Sequence, residues 1–206
     1  MLTIWGRANS SNVKKVLWCA EELDLAYDRR EAGGAFGVVD TAEYRRLNPT
    51  GLVPTIEDAG FVLWESNAIV RYLAATYGRD LLWLEEPRHR GHADRWMDWC
   101  STAFAPVFGP IFRGLVRTPP EQRDAAAIEA AIVAAGRLLA IPEAALAEWP
   151  YLSGDGLGIG DIPLGVLIHG WFNLPIERPA TPYLARWYAL LKERPAYARV
   201  VATPLS

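Results

Sequence analysis

Asn48-Pro49-Thr50-Gly51-Leu52-Val53-Pro54-Thr55, followed shortly by Trp64-Glu65-Ser66-Asn67-Ala68-Ile69, is the stretch on which the reading of this chain turns. Proline at 54 has no N–H and pushes Val53 toward an extended backbone, at a kind of position where a cis peptide bond is tolerated. Val53 then offers its own N–H and C=O sideways, so an extended ligand can pair with it as peptides add to a free sheet edge. Glu65 and Ser66 open a helical run that continues Ala68-Ile69-Val70-Arg71-Tyr72-Leu73. The Ser66 N–H and hydroxyl therefore sit at the positive end of a helix dipole, which favours a carboxylate. Together the two segments describe a site for a small acidic peptide.

Upstream, Leu2-Thr3-Ile4-Trp5 reads as a short strand, and Asn9-Ser10-Ser11-Asn12 supplies capping residues before Val13, Val16, Leu17, Ala20 and Leu23, which share a helical face. A second strand near Ala26 to Arg30 leads through Gly33-Gly34-Ala35-Phe36-Gly37 into a helix that the pair Asp40 and Glu43 is expected to cap. Pro54 to Glu57 and Phe61 to Leu63, joined by Asp58-Ala59-Gly60, form a hairpin, and a helix from Glu65 to Tyr77 closes an α/β unit at residues 1–78. Residues 79–87 read as a linker, and helical patterns fill 88–206. Arg88 to about Ala105 is expected to be helical, with Pro106 and Gly109-Pro110 kinking or interrupting the chain beyond it. Thr118-Pro119-Pro120-Glu121 reads as a capping box that launches an alanine-rich helix as far as about Leu139, before Pro142 perturbs it. Gly158 to Trp171, Thr181 to Lys192 and Pro195 to Val201 complete the helical half.

The 206 residues are 51% hydrophobic, enough for a substantial core, and the formal net charge is −3 with both signs intermixed. That balance favours neither nucleic acid nor an anionic membrane as partner. The start lacks a basic segment followed by an apolar stretch, and no uninterrupted run of apolar residues is long enough to span a bilayer, so a cytoplasmic protein is expected. Cys19 and Cys100 lie far apart outside any C-x-x-C pattern and read as core residues. Nine tryptophans exceed what packing needs, and some are expected to line a pocket.

These residues together resemble the cytosolic glutathione transferases. Asn48-Pro49-x-Gly51-x-Val53-Pro54 and Glu65-Ser66 match the thioredoxin-like N-terminal domain of that family, and an all-helical C-terminal domain comes after it. Tyr151-Leu152-Ser153-Gly154 through Gly158-Ile159-Gly160-Asp161-Ile162 is similar to the family's helix-capping motif, which has Ser or Thr where this chain has Gly158. Glycine is the poorer cap, so Asp161 is expected to hold the helix start with less help. The resemblance implies a glutathione transferase of the bacterial serine type, theta- or nu-like, which uses glutathione as co-substrate and no metal. It also implies a homodimer. Ser10 aligns with the catalytic hydroxyl, and Ser11 is the alternative, because a one-residue slip is open. Asn12, Val53, Pro54, Glu65 and Ser66 are implied as glutathione contacts. Many relatives carry lysine where this chain has Leu52, and either Arg45 or Arg46 replaces it or the grip on the glycine carboxylate is weak. For the second substrate, Trp96 and Phe104 are the leading candidates among Trp96, Trp99, Phe104, Phe108 and Phe112, with Arg7 at the mouth.

The magnitudes suit this chemistry. Glutathione's thiol titrates near about 8.5, so a small fraction is nucleophilic thiolate at neutral pH. Lowering that value by roughly two units requires about 2.7 kcal/mol. A hydrogen bond to charged sulfur contributes roughly 1.5–3 kcal/mol, and a helix N-terminus adds about 0.3–1. The implied activity is conjugation to small hydrophobic electrophiles. The alternatives are glutathione-dependent reduction of disulfides or peroxides, and binding of glutathione or hydrophobic ligands without turnover. His89-x-x-His92 has metal-ligand spacing but stands among Arg88, Arg90 and Arg95, and the glycines at 154, 156, 158 and 160 fit no phosphate-loop spacing.

Overall fold

The computed structural model describes residues 1–206. Strand β1 (Leu2–Trp5) is followed by helix α1 (Ser11–Glu22), strand β2 (Tyr27–Arg30), helix α2 (Ala42–Leu47), strands β3 (Thr55–Asp58) and β4 (Phe61–Trp64), and helix α3 (Ser66–Tyr77). The sheet order is β2-β1-β3-β4. β1 runs parallel to β2, with Leu2 opposite Tyr27, and antiparallel to β3, with Ile4 opposite Ile56. Parallel pairing of consecutive strands requires a crossover, which α1 supplies. Antiparallel β3 and β4 need only the pair Ala59-Gly60, both at positive φ (48° and 88°), as a two-residue turn of the twist-matched kind.

Helix α2 differs from expectation at its cap. Thr41, not Asp40, accepts the Tyr44 N–H at 3.2 Å, while Asp40 instead pairs with Arg45 at 2.8 Å. The hydroxyl sits one residue nearer the first turn, where an N-cap acceptor is within reach.

The helical half comprises α4 (Pro87–Trp99), α5 (Ala105–Phe112), α6 (Ala125–Glu148), α7 (Asp161–Asn173), α8 (Pro182–Lys192) and α9 (Pro195–Val200). Pro106 and Gly109-Pro110 do not interrupt it. The chain stays helical from 87 to 117, with wide π-type turns at Cys100–Phe104 and Arg113–Arg117 on either side of the prolines, the second closed by Thr118 N–H on Arg113 C=O at 2.9 Å. The expected capping box at Thr118 also fails. Pro119 precedes another proline and is held extended (ψ 142°), so only a short 3-10 turn forms at Pro120–Gln122. Asp124 caps α6 instead, accepting the Ala127 N–H at 2.9 Å. Pro142 does not end α6: Leu139, Pro142 and Leu146 lie on one buried face, and their packing carries the helix through the missing hydrogen bond. By length and composition alone α6 is apolar enough to cross a membrane (mean hydropathy 1.6), although Glu129, Arg137 and Glu143 interrupt it; in this fold it packs on α5 and α8.

The two halves share α1. Trp18 is fully buried against α7 at Gly165, where a Cβ would stand 2.7 Å from the indole, so only glycine permits the approach. Arg194 on the α8–α9 turn grips Glu22 through two bonds (2.8 and 2.6 Å), and Arg71 on α3 reaches Asp94 and Asp98 on α4. The site at the start of α1 is thus fixed from both sides.

At the head of α7 the Asp161 carboxylate is fully buried and accepts from Leu152 N–H (2.8 Å), Ser153 N–H (3.2 Å), Gly158 N–H (3.1 Å) and Trp187 Nε1 (2.9 Å). The help that Gly158 cannot give comes from Ser153, whose Oγ accepts the Gly160 N–H at 3.1 Å. A Cβ on residue 158 would stand 2.7 Å from that Oγ, so Ser153 occupies the space a capping side chain at 158 would take.

Candidate active site

Two helix starts meet at one end of the sheet, beyond the C-terminal ends of β1 and β4. At α1, Ser10 holds the N-cap position with an extended backbone (φ −85°, ψ 125°), yet its hydroxyl makes no capping bond. The first main-chain donor of that region to be satisfied within the helix is Lys14 N–H, bonded to Ser10 C=O at 2.9 Å. The N–H groups of Ser11, Asn12 and Val13, and the Ser10 hydroxyl, are thus free for an anion. Ser10 is 9% exposed, whereas Ser11 is open and lines a cleft. At α3, Glu65 takes φ 73°, a left-handed conformation that costs a non-glycine residue about 1–3 kcal/mol and points to a functional constraint. Its side chain does not cap the helix and remains exposed, while Ser66 is buried.

The starts touch: Ser66 Oγ donates to Asn12 Oδ1 at 3.3 Å, and Lys15 Nζ donates to the same oxygen at 3.0 Å. Lys15 is 4% exposed. Burial lowers its pKa, while Cys100 and Glu65 act the other way. An ammonium with one hydrogen bond in so dry a place creates a strong positive potential at the joined helix ends. Sequence reasoning missed it. The available signal was a lysine set between Val13 and Val16, on the flank of the face that α1 buries.

The loop before β3 is held by a buried polar network. Tyr44 OH and Asn48 Nδ2 both donate to the Leu52 carbonyl (2.6 and 2.9 Å) and both reach Thr55 Oγ1 (2.8 and 3.0 Å). The Val53–Pro54 peptide bond is cis, Pro54 is buried, and neither the N–H nor the C=O of Val53 takes a hydrogen bond within the chain. Leu52 is 64% exposed. Arg45 lies across Gly51 beside it, its guanidinium 3.4 Å from the Pro49 carbonyl, while Arg46 makes no side-chain bond.

A cleft of about 260 Å³ opens from the start of α1 toward α5, α7 and the final residues. Trp96 and Phe104, expected on its wall, are not there. Phe104 is fully buried, stacked between Trp99 (6.0 Å) and Phe108 (5.5 Å), and Trp96 packs edge-on against Trp99. Phe108 and Phe112, further along the same stripe, line the cleft instead. Arg7 lies over Gly34 and binds Asn9 Oδ1 at 2.6 Å, with its Nε buried and unpartnered.

Other chemistry-bearing groups are quiet. Cys19 and Cys100 are fully buried, and burial pushes their thiols up, that of Cys100 to about 12. His169 has both ring nitrogens engaged, by Tyr188 OH at 2.8 Å and Thr203 C=O at 3.0 Å. No three His, Cys, Asp or Glu side chains converge on one point, and His92 lies 2.8 Å from an Arg95 nitrogen.

Comparison with known proteins agrees with this geometry. Residues 9–76 match the family model of the glutathione S-transferase N-terminal domain. Glutathione S-transferase GstB of Escherichia coli is 47% identical over the full length of both chains. The crystal structure of a theta class glutathione S-transferase from Xanthomonas axonopodis pv. citri, with glutathione bound, is 57% identical, covers 100% of this chain and 99% of its own, and superposes with a TM-score of 0.96. A Phanerochaete chrysosporium glutathione transferase in complex with oxidized glutathione shares 25% identity, covering 97% of this chain and 94% of its own, with a TM-score of 0.86. The four-stranded sheet with its helices and the helical second half are thus matched over the whole chain by glutathione S-transferases, and the chain belongs to the glutathione S-transferase family.

Proposed function

We propose that this protein is a glutathione transferase that holds glutathione as its thiolate and conjugates it to small electrophiles. The observation that carries the reading is the convergence of Ser10, Asn12, Ser66 and buried Lys15 beside a Val53 whose peptide groups are unpaired. Val53 pairs with the cysteinyl backbone of the tripeptide, with Pro54 fixing the turn. Glu65, Ser66 and the start of α3 take the γ-glutamyl end, where the ammonium meets Glu65 and the carboxylate meets main-chain N–H groups. The Ser10 hydroxyl and the start of α1 face the sulfur, and Lys15 adds positive potential to both. Arg45, bent over Gly51, stands in for the lysine absent at Leu52 and takes the glycine carboxylate.

The protein is assigned to the cytoplasm, where two unpaired buried thiols suit a reducing compartment, and to detoxification of electrophiles. Exposed Phe61 and Trp64 on the edge strand β4 support a homodimer.

Glutathione binding followed by calorimetry, with conjugation of 1-chloro-2,4-dinitrobenzene measured beside reduction of a glutathione mixed disulfide and of an organic peroxide, tests the reading. Conjugation is expected. Reduction without conjugation would convert the enzyme to a reductase, and binding without turnover would make it a carrier. Asn48→Ala is expected to lower stability by about 1–3 kcal/mol, since the Leu52 carbonyl and Thr55 lose a buried partner. It should also raise the KM for glutathione with little change in kcat, because Val53 is held by that network; denaturant unfolding and steady-state kinetics read the two effects.

A further inference from the structure

The cleft beside α1 is lined by Lys14, Lys15, Arg113 and Arg117 and by no acidic side chain, in a chain whose formal net charge is −3. Elsewhere many arginines are paired: Arg29 with Glu31, Arg45 with Asp40, Arg71 with Asp94, Arg194 with Glu22, and Arg199 with Glu21. None of the four cleft cations is in an ion pair with an acidic side chain. Arg113 has no hydrogen bond from its guanidinium, and Lys14 meets only Thr203 Oγ1 (2.7 Å) and Val201 C=O (3.3 Å); Arg117 meets the Asn9 carbonyl (3.4 Å) and an oxygen of the last residue, Ser206 (3.1 Å), whose terminal carboxylate offsets one of the four positive charges. Arg117 sits close enough to Arg7 and Arg113 that burial and their charges together lower its pKa.

Glutathione accounts for only one of these cations. Lys15 turns to Asn12 and the start of α3, on the tripeptide's side, whereas Lys14 turns to the C-terminal segment and Arg113 and Arg117 stand on the wide turn after α5. Between them lies an apolar floor of Phe108, Phe112, Leu167 and Leu205.

We propose that the preferred electrophile is an amphipathic anion, an aromatic or similarly flat apolar body bearing a carboxylate, whose acidic group is held by Arg113 and Arg117 while its reactive carbon faces the start of α1. The proposal rests on glutathione being activated at Ser10. The step is a displacement. The thiol proton has already gone to solvent; the thiolate sulfur forms a C–S bond to the electrophilic carbon, and the C–halide bond breaks with its electron pair leaving as halide. Both reactants are then anions, and the cations offset a repulsion that would otherwise oppose their meeting.

The test compares 4-chloro-3-nitrobenzoate with its methyl ester at saturating glutathione, each rate divided by its uncatalysed rate. The acid is expected to be favoured in kcat/KM by at least about 10-fold, the effect of one charge-assisted hydrogen bond, and the preference should shrink as salt rises. In the Arg113→Gln/Arg117→Gln double variant the acid-to-ester ratio should fall to about one. A ratio near one in the unaltered protein, or a preference that survives the double variant, would overturn the proposal. Should neither compound react, nor 1-chloro-2,4-dinitrobenzene, conjugation itself is at fault. Tryptophan fluorescence quenching by 3-nitrobenzoate and by its methyl ester then still decides: tighter binding of the acid, weakened by salt, sustains the anion site, and equal binding removes it.

Discussion

Ser10→Ala is expected to lower kcat/KM for conjugation by roughly 10- to 100-fold, with a smaller effect on glutathione affinity. The magnitude is that of one hydrogen bond to a charged acceptor, about 1.5–3 kcal/mol, lost where the sulfur carries its charge. The proposed role draws support from what the serine does not do: an N-cap serine ordinarily bonds the second or third N–H of its helix, and the Ser10 hydroxyl leaves those donors alone. Ser11→Ala, removing an exposed hydroxyl one residue along the same turn, is the necessary comparison. The assignment to Ser10 is lost if Ser11→Ala carries the larger defect. The start of α1 and the Lys15 charge remain in either variant, so activity falls without vanishing.

Asp161→Ala is expected to destabilise the fold by more than about 4 kcal/mol, because three main-chain N–H groups and the Trp187 indole lose their acceptor inside the protein at about 1–3 kcal/mol each. Against a total stability of about 5–15 kcal/mol such a loss is large. Ser153→Ala should cost about 1 kcal/mol, one capping bond. Urea unfolding of the two variants measures both. A loss below about 1 kcal/mol for Asp161→Ala would show that packing alone holds the start of α7 and that the buried carboxylate is dispensable.

Much of the architecture was legible because its signals are local. Val53-Pro54, Ala59-Gly60 and Glu65-Ser66 each constrain their own backbone, and the order of strands and helices follows from them. Three features were not legible, each because it depends on a distant partner. The burial of Lys15 arises only when α3 packs beside α1; in the sequence it is one of two adjacent lysines on an amphipathic helix. The aromatic stripe on α4 and α5 marks a buried face, but which end of it opens depends on where α7 crosses. A Cβ at residue 170 would stand 2.9 Å from the Phe108 ring, so Gly170 lets α7 cross closely there; the stripe meets the cleft at Phe108 and Phe112 while Trp96 and Phe104 are sealed. The partner that compensates Gly158 is Ser153, reached only when the loop folds back. Helix boundaries differ where prolines were expected to kink, interrupt or perturb the chain: Pro106, Pro110 and Pro142 all stay within helix, two beside wide turns and one by packing.

Two helix starts, a free hydroxyl and a buried ammonium are proposed to stabilise glutathione as its thiolate, and every functional statement above depends on that anion. Ultraviolet difference absorption of the thiolate, followed against pH with the protein in excess over glutathione, measures it. The expected midpoint lies roughly two units below the free value of about 8.5 and moves back toward it in Ser10→Ala. Bound glutathione that titrates at the free value would contradict the proposal.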